Sequence, residues 1–291
     1  MPQSRFLNSF TAEASVPEHL LPYVRSVSSL EPQEKKGILV WSSGSSLIIV
    51  GHERSGAPFD AGRLDNVIHE FEDLPEIEHM TVLAPTRPDA APNWAVSTPP
   101  DAYWGISLPS PPEQMIHGQK LRNLLRRAGR EIHISQEGWH PDHAELTVLF
   151  SRTHTLDPAT RKLFENIGNY MQSVPEAILF AARDARGTLQ GFAIGDYTSL
   201  QTVFYLFAFR HPQSPPGTAD ALLEALAEEG IRRGHTLLNL GLGINGGIAF
   251  FKRKWGAEVL QPHMETSWNR KPPQSAGTFI SIKKWLGLIS S

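Results

Sequence analysis

Three apolar runs in close succession, Ala177–Arg183 (AILFAAR), Gln190–Tyr197 (QGFAIGDY) and Thr202–Arg210 (TVFYLFAFR), commit the second half of this 291-residue chain to a sheet-centred fold. Each run is short, rich in apolar residues and bounded by turn residues, the pattern of buried strands. The Asp184–Gly187 turn (DARG) between the first two reads as a hairpin. After the loop His211–Gly217 (HPQSPPG) the period changes. Leu222, Leu223, Leu226 and Ile231 follow helical spacing, which predicts a helix over Thr218–Arg233, with Thr218 as N-cap and Gly234 just past its end. A strand at Thr236–Leu240, a glycine-rich loop at Gly241–Gly247, a short helix at Ile248–Trp255 and one or two strand segments in Val259–Trp268 complete the pattern.

The first half carries weaker signals. Residues 1–36 read as polar and irregular, with a short helix around Pro17–Ser26. Gly37–Trp41 and Leu47–Val50 bracket the turn Ser42–Ser45 as a hairpin; Ala61–Phe71 reads as a helix, and Met80–Ala84 and Tyr103–Leu108 as strands, with the proline-rich stretch Pro85–Pro100 as a loop between them. His117–Arg130 is a helix of divided faces: Leu121, Leu124, Leu125 and Ala128 on one side, Arg122, Arg126, Arg127 and Arg130 on the other. With Lys120 this segment holds five basic residues and no acid. A strand at Ile132–Ile134 and helices at His143–His154 and Pro158–Gln172 lead into the three runs.

Length and composition bound the function. A soft prior of about 150 residues per domain gives about two domains. The absence of cysteine excludes disulfides, thiolate metal sites and a cysteine nucleophile, and fits a reducing compartment. The start has no basic segment followed by an apolar core, and no stretch approaches the roughly 18–20 apolar residues of a membrane span, so a cytoplasmic protein is expected. A formal net charge of −3 means that any phosphate binding comes from a local patch; no DNA partner is expected. The histidines show no HExxH-type spacing, and no metal site is expected.

The strand and helix order of the second half resembles the C-terminal part of the GNAT fold. The segment His235–Ala257 (HTLLNLGLGINGGIAFFKRKWGA) resembles the FemAB-like, Fem-type aminoacyltransferases. These carry a helix ending in Gly, an apolar strand ending in a polar residue and Gly, a variable loop, and an FK-x-x-aromatic-G segment, here Phe251–Gly256. The basic helix Lys120–Ala128 resembles the Arg-rich helix of the same family. The resemblance covers roughly residues 117–270. It implies an α+β, GNAT-like fold of two side-by-side units with a cleft between them, the first reduced, divided here as 1–135 and 136–291.

The resemblance also implies an amide-forming transfer. An amine attacks an acyl carbonyl, backbone N–H groups at a strand bulge stabilise the oxyanion, and a helix start cradles a phosphate-bearing carrier. Lys252 matches the family's lysine at the acyl centre. Tyr205 lies on the strand that approaches the acyl group, and Asn239 at a strand end stands where the family often has Asp. Phe251 and Trp255 flank Lys252 in the motif. The cradle falls at Gly217 and Thr218, after Pro212, Pro215 and Pro216, which lack N–H groups. That scarcity of donors favours aminoacyl-tRNA over acyl-CoA as co-substrate, with no tightly bound cofactor and a small-molecule or peptide amine as acceptor. Arg122, Arg126 and Arg127 would hold the anionic carrier, tRNA included. His154 and His211 are candidate general bases. The alternatives are an acyl-CoA-dependent N-acetyltransferase and a non-catalytic RNA- or partner-binding module on the same scaffold. The glycine-rich loop lacks the flanking topology of a dinucleotide site and reads as a substrate loop or tight turn. The tail Phe279–Ser291 reads as a short amphipathic segment.

Overall fold

The structure, a computed structural model, describes residues 2–111 and 114–271; the amphipathic tail lies outside the described residues. The chain begins with α1 (Pro2–Ala12), a 3-10 turn (Pro17–His19) and α2 (Leu21–Val27). Then come β1 (Glu31–Lys35), β2 (Ile38–Ser43), β3 (Ser46–Val50), α3 (Ala61–Glu72), β4 (His79–Ala84), the short β5 (Val96–Ser97) and β6 (Asp101–Ser107). The second half continues with α4 (Gln119–Ala128), β7 (Ile132–Glu137), α5 (Pro141–Thr153), α6 (Pro158–Glu165), α7 (Ile167–Ser173), β8 (Ala177–Asp184) and β9 (Leu189–Asp196). It ends with β10 (Thr202–Arg210), α8 (Thr218–Arg233), β11 (Leu237–Leu242), α9 (Gly246–Lys254) and β12 (Glu258–Asn269). This is the α+β architecture read from the sequence.

The β2–β3 hairpin forms as expected, with Gly44 at φ +56° supplying the left-handed position of a two-residue turn. Strand β1 was not legible. It is a polar edge strand containing Pro32, joined to β2 through Lys36 and Gly37, both at positive φ. Its pairing on one side only explains why it needs no apolar alternation.

The strands run in the order β1-β2-β3-β4-β12-β6-β11-β10-β9-β8-β7, with β5 paired to β12. Strand β12 joins the two halves. Its first part pairs with β6, from Glu258–Gly105 to His263–Asp101, and its second part with β4, from Met264–Ala84 to Asn269–His79. The two segments anticipated in Val259–Trp268 are thus one strand serving two sheets. Strand β6 sits beside β11, and β7 closes the far edge against β8, so residues 101–137 build the second sheet. The 135/136 division falls inside β7.

Three clusters form the core. Leu64, Val67, Ile68 and Phe71 of α3 cover β2, β3 and β4 together with Trp268. Leu222, Leu223 and Leu226 of α8, with Leu121 and Ala128 of α4, cover one face of the second sheet. Its other face carries an aromatic cluster in which Tyr23, Phe150, Phe164 and Tyr170 surround Phe207 and Phe209.

The seam around β12 is polar and buried. Tyr103 donates its hydroxyl to both carboxylate oxygens of Glu18 (3.1 and 3.0 Å). His52 Nε2 meets His263 Nδ1 at 2.9 Å with the rings stacked, and Glu265 and His19 are buried beside them. Burial raises Glu18 to about 7, against the lowering effect of its hydrogen bonds, and lowers His19 to about 3. The folded chain therefore binds the Glu18 proton more tightly than the unfolded chain does. That contribution is complete below pH 4.5 and is lost as pH rises to about 7, about 3 kcal/mol in all. We predict that Glu18→Gln gains stability relative to the parent between pH 5 and pH 8 by about that amount. Urea unfolding at both pH values checks it; a difference independent of pH would remove Glu18 from the titration.

Candidate functional site

The site forms where two parallel strands part. Strands β10 and β11 pair over Thr202–Leu237, Val203–Leu238 and Phe204–Asn239, and the ladder ends there. At that point β10 bulges. Its register against β9 shifts between Tyr205 and Phe207, which leaves Leu206 without an opposite residue. Strand β11 bends as well, its register against β6 shifting between Asn239 and Leu242, with Gly241 at φ +73°. Bulges increase local twist and redirect a strand, so two at one level splay the pair. Beyond Phe204, the β11-facing edge of β10 carries backbone groups that no strand partner takes.

Two sequence candidates hold the bend in β11. Asn239, 1% exposed, accepts from the Gly241 amide (2.7 Å) and donates to the Ser15 carbonyl (3.0 Å). Lys252, 4% exposed, donates to the carbonyls of Gly241 (2.8 Å) and Leu242 (2.6 Å). Burial lowers the Lys252 ammonium to about 7, with nearby Asp101 acting the other way. Neither residue lines the cavity beside β10; their contacts hold the end of β11. The glycine-rich loop is fastened too: Asp101 accepts from the amides of Gly243 (2.9 Å) and Ile244 (3.1 Å), and Asn245 caps α9.

Between β10, α5, α8 and α9 lies a cavity of about 600 Å³. Two residues singled out from the sequence, Tyr205 and Phe251, are in its wall, with Ala208, Phe209, Leu222 and Ile248. Burial, reinforced by the charge of Asp220, raises the Tyr205 phenol above its ordinary range. His154 also lines it. Its Nδ1 lies 3.0 Å from the Phe150 carbonyl and 3.1 Å from the Thr153 hydroxyl, and the ring stacks on Phe150. His211 is outside the wall and accepts from the Gln213 amide (3.2 Å). Trp255 stands behind α9, donating to Asp220 (2.8 Å), which also pairs with Lys254 (2.5 Å).

Helix α8 begins at the cavity. Its N-cap is Gly217 at φ +94°, not Thr218, whose buried hydroxyl donates to the Pro215 carbonyl (2.7 Å). A Cβ on Gly217 would lie 3.0 Å from Leu124 Cγ and from the Leu124 carbonyl oxygen, because α4 packs directly on the start of α8. The apolar face of α4, through Leu124 and Ala128, makes this contact, and Arg122, Arg126 and Arg127 are exposed. Arg122 donates to Gln119 (2.6 Å), and Arg127 has Glu131 at 3.7 Å, an acid just beyond the helix. Arg210 was not singled out from the sequence. It is exposed at the end of β10, lines the cavity, and forms no ion pair among the described residues. Its only signal was its place: a cation at a strand end just before the proline loop.

No protein-family model and no curated protein sequence matches the chain. Solved structures do match in fold. FemX superimposes with a TM-score of 0.58 at 9% identity, over 89% of this chain and 95% of that one. L-PGS from Bacillus licheniformis gives 0.54 at 12% identity, over 93% and 92%. A tandem GNAT protein from the clavulanic acid biosynthesis pathway gives 0.54 at 11% identity, over 94% and 96%. The chain has the GNAT fold in the tandem, FemX-like arrangement.

The Lys252 contacts generate a stability prediction. Replacing Lys252 with Met strands two carbonyls and should cost about 2–4 kcal/mol, read as a lower urea midpoint. Unchanged stability with lost turnover would instead return Lys252 to the chemistry.

Proposed function

We propose that the protein is an acyltransferase that moves an acyl or aminoacyl group from an anionic carrier to an amine. The observation that carries this reading is the bulge of β10 at the point where its ladder with β11 ends, beside a cavity at the start of α8. Backbone N–H groups at a strand bulge can meet the negative charge that develops on a carbonyl oxygen in the transition state without reorganising.

In this mechanism the acceptor nitrogen attacks the acyl carbon and a C–N bond forms. The bond from that carbon to the carrier's sulfur or oxygen breaks, and its electron pair leaves with the carrier. His154 takes the proton lost by the amine: contact of Nδ1 with the Phe150 carbonyl assigns the ring proton to that nitrogen, which makes Nε2 the basic one. Tyr205, whose burial keeps it protonated at neutral pH, supplies the hydrogen to the departing atom.

Aminoacyl-tRNA is the favoured carrier. The proline-rich loop is poor in amides, α4 crowds the helix start, and the arginines of α4 are exposed. Acyl-CoA is the second reading, supported by Ala219 of the first turn of α8 lining the cavity. Either donor places the protein in the cytoplasm, and the acceptor is an amine on a small molecule or peptide.

The test is turnover with radiolabelled donors of both kinds and a panel of amines. Tyr205→Phe and His154→Gln should each lower kcat by about 10²-fold or more with KM little changed and melting temperature retained. Arg126→Ala with Arg127→Ala should weaken a tRNA donor in a salt-dependent way and leave a CoA donor unaffected. Salt-dependent RNA binding without transfer from any donor would instead establish the binding-module reading.

A further inference from the structure

The chemistry of the cavity wall selects among acyl groups. Leu149, Phe150, Phe209, Leu222, Ile248 and Phe251 present it with aliphatic and aromatic surface. Among the described residues no Asp or Glu is in the wall, and its ionisable side chains besides Tyr205 are His154 and Arg210. The acid nearest in sequence to the wall residue Ala219 is Asp220, 4% exposed and already engaged by Lys254 and Trp255. A cationic acyl group would therefore enter an apolar space beside a guanidinium with no carboxylate to pair it, an arrangement that rejects buried charge. A two-carbon acyl group would leave most of about 600 Å³ unfilled.

We propose that the cavity seats an apolar, uncharged acyl group larger than acetyl, with Arg210 at the end of β10 meeting the anionic carrier. The inference rests on the acyltransferase reading and names its substrate class. The shared chemistry, an apolar acyl group on a phosphate-bearing carrier, can come from a medium-chain acyl-CoA or from an apolar aminoacyl-tRNA.

The experiment measures binding by calorimetry and transfer by radiolabel for acetyl-, butyryl- and octanoyl-CoA, and for leucyl- and lysyl-tRNA, on the full chain. The expected result is affinity and kcat/KM at least about tenfold higher for octanoyl-CoA than for acetyl-CoA, or for leucyl-tRNA than for lysyl-tRNA, in keeping with burial of several methylenes. Whichever carrier is used identifies the source. Ala208→Trp, which fills the cavity from β10, should reduce that preference to about twofold or less. Leu149→Glu, on a half-buried position of the wall, should reduce apolar donors and raise the cationic one, and it serves if the tryptophan variant fails to fold. Equal use of short and long chains, or a preference for lysyl-tRNA, overturns the inference while transfer itself upholds the acyltransferase. Absence of binding and transfer with all five donors overturns both.

Discussion

The parting of β10 and β11 depends on one bend, at Gly241 in β11. If β11 continued straight, its parallel ladder with β10 would run on past Phe204–Asn239. The bend exposes the Gly241 and Leu242 carbonyls to the protein interior, where an unpaired acceptor is costly. Lys252 satisfies both from α9, and Asn239 satisfies the Gly241 amide from within the strand. Two residues that resemblance singled out, Lys252 and Asn239, thus hold this bend in place. This also gives a physical reason for a buried lysine there. A single Nζ carries several N–H donors and so serves two carbonyls at once, which a hydroxyl with its one hydrogen does not.

The two halves of the molecule handle polarity in opposite ways. The cavity beside β10 is lined mostly by apolar side chains, with Arg210 at the end of β10. The seam where β12 passes from β6 to β4 gathers Glu18, His19, His52, His263 and Glu265 in the interior. Burial there favours the neutral forms, raising Glu18 and lowering His19 and His52, so the seam is held by hydrogen bonds and ring stacking rather than by ion pairs. Neutral groups let two sheets share one strand without the desolvation cost of buried charge.

Much of the second sheet was legible because its signals are local. Strands β8 to β10 are dense apolar runs, α8 has helical spacing and a terminal glycine, and α4 separates its arginines from its leucines. What the sequence concealed is non-local. Nothing in Tyr103–Leu108 reveals that β6 will lie between β11 and β12, and nothing in Val259–Trp268 reveals that one strand will serve both sheets. Single residues such as Glu18 and His52 have no spacing that marks them as neighbours. Lys252 did carry a hint: it lies four residues after Ile248, on the face of α9 that is buried. A lysine on the apolar face of a short helix has either a buried acceptor or a functional partner, and only the fold distinguishes them.

The start of α8 shows how packing changes the meaning of a motif. A helix N-terminus offers amides and a positive dipole end to an anion. Here Pro212, Pro215 and Pro216 remove amides before it, and α4 occupies the space over Gly217, a position that only a residue without a side chain tolerates. The face of α4 that fills this space is the apolar one, through Leu124 and Ala128, which leaves Arg122, Arg126 and Arg127 exposed. The helix start is thus closed by packing rather than open as a nest of amides.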